Sequence, residues 1–72
     1  MTPALFSKVG EALYGPSWRN ALADELGVAE RTVRRWQDGA SAIPDGIKGD
    51  LAKLCRKHSA ELAKIADQLE RS

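Results

Sequence analysis

Three arginines, Arg31, Arg34 and Arg35, crowd into one short segment with Glu30 before them and Asp38 after. A guanidinium is planar, permanently charged, and able to donate two parallel hydrogen bonds, for example to the O6 and N7 edge of guanine. If Val33 and Trp36 of the same segment face a core, a rotation of about 100° per residue carries Arg31, Arg34, Arg35 and Asp38 to the opposite arc. Glu30 has two uses open to it. It could accept from cytosine N4, or pair with Arg34 one turn later while its charge favours the helix N-terminus, and the spacing favours the pairing. The ordinary alternative for the arginines is a solvated charged face.

Other chemistry has little support. Cys55 and His58 stand three residues apart and could supply two metal ligands, but a tetrahedral zinc site needs four. A half-buried thiol and an interfacial histidine are the plainer reading, and no metal or other cofactor is expected. With one histidine and no glycine-rich phosphate cradle before a helix, an enzyme is not expected either. A lone cysteine suits a reducing compartment, and no export signal or membrane span stands out, so the expected location is the cytoplasm.

The elements that must hold these residues are helical. Seventy-two residues suffice for one small domain, here 1–72, and a core of that size gains from a partner subunit. A hydrophobic share of 43% beside 29% charged residues argues for a folded chain and against a disordered tail. Eleven Lys and Arg nearly balance ten Asp and Glu, so contact with nucleic acid must come from local clustering and not from bulk attraction. Gly and Pro punctuate the chain at helix-length intervals, and no internal repeat or low-complexity segment stands out. The fold class is therefore all-α, a small bundle of four to five helices.

Thr2 and Pro3 open a first helix with Leu5, Val9 and Leu13 on one stripe, and Tyr14-Gly15-Pro16 closes it, Gly15 in the left-handed conformation. Ser17 is placed to cap a second helix with Trp18, Leu22, Ala23 and Leu26 inward, stopped at Gly27. A third covers roughly residues 30–37 and ends before Gly39. After Pro44, the residues Ile47, Leu51, Leu54, His58, Leu62, Ile65 and Leu69 recur at three- and four-residue steps. They describe one long helix, or two with a break near Ser59 that lets the second fold back.

The stretch Arg19 to Asp38 resembles the helix-turn-helix of the lambda-repressor-like family of bacterial and phage regulators. Leu22 with Ala23, then Leu26-Gly27-Val28, then Val33 and Trp36 fall at that family's buried, small and turn positions over the full twenty residues. Two short helices joined by a three- to four-residue turn approach closely, so a small residue such as Ala23 is needed where they touch. One departure is Ala29, where the family often has Ser or Thr before the reading helix.

The resemblance implies a sequence-specific regulator of double-stranded DNA, a repressor that binds a palindromic operator as a homodimer. Arg31, Arg34, Arg35 and Glu30 would then meet base edges in the major groove. Backbone contacts are implied for Ser17, Arg19, Asn20, Thr32, Ser41 and Lys48. The dimer contact is expected at His58, Leu62, Ile65 and Leu69, which have least to pack against within one chain. A helix-turn-helix can also serve as a protein-binding adaptor, which stands as the alternative.

Overall fold

Helix formation begins where the sequence supplies a cap. Thr2 is extended, its hydroxyl accepts from the Leu5 N–H at 3.1 Å, and Pro3 fills the first helical position, where its missing N–H costs nothing. In the computed structural model, which describes all 72 residues, the helices are α1 (Pro3–Tyr14), α2 (Trp18–Leu26), α3 (Glu30–Asp38) and α4 (Asp45–Arg71). A 3-10 turn, Gly15–Ser17, links the first two. There are no strands, and no helix is long and apolar enough to cross a membrane.

The core is aromatic at its centre. Phe6 is fully buried and sits edge-on between two indoles, with ring centroids 5.5 Å from Trp18 and 5.8 Å from Trp36. Leu22 and Ala23 of α2, Val33 of α3 and Leu51 of α4 close around them. Edge-to-face contacts of this kind add about 0.5–1.5 kcal/mol each beyond area burial. They make α1 the strut against which α2 and α3 are set.

The inward stripe of α1 differs from the expected Leu5, Val9 and Leu13. It is Phe6, Gly10 and Leu13, with Leu5 exposed and Val9 packed only at the edge. Gly10 explains the shift. A Cβ built there would lie 2.1 Å from Cε3 of Trp18, so the absence of a side chain is what lets the indole pack flat on the α1 backbone. Gly10→Ala is therefore expected to destabilise the domain by about 1–3 kcal/mol through overpacking. That outweighs the roughly 0.5–1 kcal/mol by which Ala improves a helix interior. The urea midpoint followed by tryptophan fluorescence checks it; a midpoint equal to the parent's or higher would show that Trp18 can yield.

Two further expectations about α1 and α2 are corrected. Gly15 does have positive φ, at 77°, but with ψ at −157° it lies in the extended glycine-only region and not in the left-handed helical one. Ser17 makes no capping bond: Pro16 carries the chain into α2 through the 3-10 turn, leaving Ser17 at φ −97° and ψ 36° instead of the extended conformation a cap requires.

Helix α4 runs 27 residues without interruption, so it neither breaks nor folds back at Ser59. The reason is compositional: after Gly49 the chain contains no Gly or Pro, and a single exposed Ser does not stop a helix. Leu51 is buried and Ile47 and Leu54 lean on the core, whereas every residue from Ser59 onward is exposed. The molecule is consequently 48 Å long but only 22 × 21 Å across.

Candidate nucleic-acid interface

Helices α2 and α3 are joined by Gly27, Val28 and Ala29 alone. Gly27 adopts the left-handed helical conformation, φ 71° and ψ 30°, which a Cβ would penalise by about 1–2 kcal/mol. Its N–H bonds the Asp24 carbonyl while the Val28 N–H reaches back to Ala23 at 3.0 Å, so the last carbonyls of α2 are satisfied as the chain turns. The same closure ends α3, where the Gly39 N–H bonds Trp36 and the Ala40 N–H bonds Arg35 at 2.9 Å. Helix α3 thus extends to Asp38, one residue beyond the expected end, and is held at both ends by short turns.

The opening of α3 is less secure. Ala29 is extended, as a cap should be, but its methyl group offers no acceptor to the first N–H groups of the helix. Ala29→Ser should add about 0.5–2 kcal/mol of stability, seen as a higher melting temperature. An unchanged melting temperature would mean that water already satisfies those donors equally well.

Val33 and Trp36 are buried, and this fixes the roll of α3. Arg31, Arg34, Arg35 and Asp38 are all exposed on its outer side. Arg34 Nη2 lies 2.7 Å from Glu30 Oε1, the helix-internal pairing that the four-residue spacing favours. Such exposed pairs contribute only about 0.3–0.5 kcal/mol, so Arg34 can be released by a stronger acceptor. Arg31 and Arg35 carry no salt bridge within the chain.

The residues expected to touch a backbone are less uniform. Arg19 is partly buried, with its guanidinium carbon 5.2 Å from the Trp18 ring and its Nε donating to Gln37 Oε1 at 2.5 Å. That bond pins the first turn of α2 to the last turn of α3, and the Nη groups of Arg19 keep four N–H donors for an outside acceptor. Ser17, Asn20 and Lys48 are exposed; Thr32 and Ser41 are half-buried. Ser41 is anchored through its N–H to the Arg35 carbonyl at 3.3 Å, which holds the loop against the end of α3. Gln37 had no sequence signal, because a contact across 18 residues obeys no helical spacing.

His58 is half-buried in a cleft of about 160 Å³ with Leu13, Tyr14, Glu25 and Leu54, and α3 takes no part in its lining. Burial, and secondarily the Glu25 carboxylate, holds the Tyr14 phenol above its ordinary value. Cys55 is exposed, in contrast to the half-buried thiol expected, at the edge of a shallow groove that it lines with Leu5, Val9 and Leu51. Leu62, Ile65 and Leu69 are 54%, 51% and 70% exposed. No protein-family model, curated protein or solved structure matches the chain.

Proposed function

We propose that this chain is a sequence-specific, double-stranded-DNA-binding transcription regulator acting in the cytoplasm, with α3 as its base-reading helix. The observation that carries this reading is the pair of unpartnered guanidinium groups, Arg31 and Arg35, on a helix whose opposite side is locked by Val33 and Trp36. A side chain that reads bases must be positioned by a rigid support and left unsatisfied until DNA arrives, and both conditions are met. Arg34 joins them by exchanging Glu30 for a base edge or a phosphate. Arg19, Asn20, Ser41 and Lys48, with Ser17 and Thr32, supply backbone contacts that orient the helix without reading sequence.

The regulator acts as a homodimer on a roughly palindromic site, and represses by occluding a promoter. Each half-site would receive one α3, about 34 Å from the other. Selection of bound duplexes from a random pool, followed by titration against salt, tests all of this together. The expected result is a preferred sequence with two-fold symmetry and an affinity falling with salt at a slope near −0.9 per phosphate contact. A protein-binding adaptor, the reading that the near-neutral charge of +1 favours, would show neither.

A further inference from the structure

The two buried tryptophans are each followed by a polar residue, Arg19 after Trp18 and Gln37 after Trp36, and these two meet across the helix pair. One step along a helix turns a side chain by about 100°, so a residue next to a buried one stands at the rim of the core. The rims of α2 and α3 close on each other here. Their support is rigid: Trp18 lies on the bare backbone of Gly10, and Phe6 is wedged between both indoles.

The partners of Arg19 are neutral. Its guanidinium lies over the Trp18 ring and its Nε donates to the Gln37 amide oxygen, with no carboxylate in salt-bridge contact. A carboxylate in the same place would hold the group equally well but cancel its charge. An amide oxygen holds it and leaves the full charge for another acceptor. Four N–H groups of Arg19 remain, and the Gln37 Nε2, which makes no bond within the chain, adds two more. Donors gathered around a fixed positive charge suit an anion with several oxygens.

We propose that Gln37 is a positioning residue, which holds Arg19 as a clamp for one backbone phosphate of duplex DNA. This role deepens the proposed function and rests on it. A free arginine side chain loses rotamer freedom on reaching a phosphate, and the tether to Gln37 removes much of that freedom beforehand. Because Arg19 belongs to α2 and Gln37 to α3, the clamp also fixes one phosphate relative to the reading helix. It sets where Arg31 and Arg35 stand in the groove without itself distinguishing bases.

The test is fluorescence anisotropy of the full chain on labelled selected and random duplexes over a range of salt, with circular dichroism to confirm folding. Arg19→Ala should lower the salt slope by about 0.9, the loss of one phosphate contact. Gln37→Met keeps length and removes the acceptor; it should leave the slope unchanged, since the charge remains, and weaken both duplexes roughly 2- to 12-fold. In an Arg19→Ala chain, Gln37→Met should have no further effect. Gln37→Glu keeps the tether but neutralises the guanidinium, so it should bind more weakly than Gln37→Met while unfolding at no lower urea concentration than the parent. Parent-like binding by Gln37→Met or Gln37→Glu overturns the positioning role, as do losses that add in the double variant. A loss confined to the selected duplex would make Gln37 a base reader and overturn it too. A parent that binds both duplexes equally, with the expected pattern among its variants, would uphold the clamp and sink the sequence-specific regulator; a parent that binds neither sinks both.

Discussion

Phe6→Ala should remove a large part of the stability of the domain at 25 °C, and all of it if the parent lies at the low end of the range for its length. The phenyl ring is inaccessible to solvent and is the one group in edge contact with both indoles, so its removal opens a hole that α1, α2 and α3 all line. Truncating a buried Phe costs about 3–5 kcal/mol. A chain of this length has a total stability of roughly 4–11 kcal/mol, so the loss takes between about a quarter and all of it. Urea titration followed by fluorescence of Trp18 and Trp36 together with far-ultraviolet circular dichroism measures it. A midpoint unchanged from the parent would mean that the two indoles close on each other without the ring and that α1 is no strut.

Removing the two free guanidinium groups should have the largest effect on DNA binding while sparing the fold. Arg31→Ala and Arg35→Ala are each expected to cost about 1–3 kcal/mol at the preferred duplex, roughly a 5- to 150-fold loss of affinity per site. Random duplexes should lose far less, so the preference collapses along with the affinity. Circular dichroism should not change, since neither side chain contributes to the core. Arg34→Ala should lose less than either, because in the free protein that guanidinium is already occupied by Glu30. Fluorescence anisotropy with labelled selected and random duplexes separates these outcomes. Equal loss on both duplexes would reassign the arginines to phosphates, and no loss on either would remove α3 from the interface.

Much of the architecture was legible because helix ends are local events. Thr2 before Pro3, Gly27 after Leu26 and Gly39 after Asp38 each act on backbone groups within a few residues, so their effect is the same in any surrounding fold. Glu30 and Arg34 met for the same reason, being one turn apart. Ser17 misled because a capping residue needs an extended backbone as well as a hydroxyl, and Pro16 dictated a different entry. The choice between a continuous and a broken α4 stayed open because an exposed serine is compatible with both, and uninterrupted helix formers on either side of it prevail.

The amino-acid order alone determined that α3 would turn its arginines away from Val33 and Trp36, since a helix offers no other way to bury those two side chains together. It could not determine which stripe of α1 would go inside. Leu5, Val9 and Leu13 make as good an apolar line as Phe6, Gly10 and Leu13, and the two lines share Leu13 and lie only about 70° apart. The choice was made by Trp18, which needs a backbone without a side chain to lie on, and by the two indole edges available to Phe6. The Arg19–Gln37 bond belongs to the same class. Contacts between helices depend on shapes that neither helix encodes by itself, and so they exist only once the helices have packed.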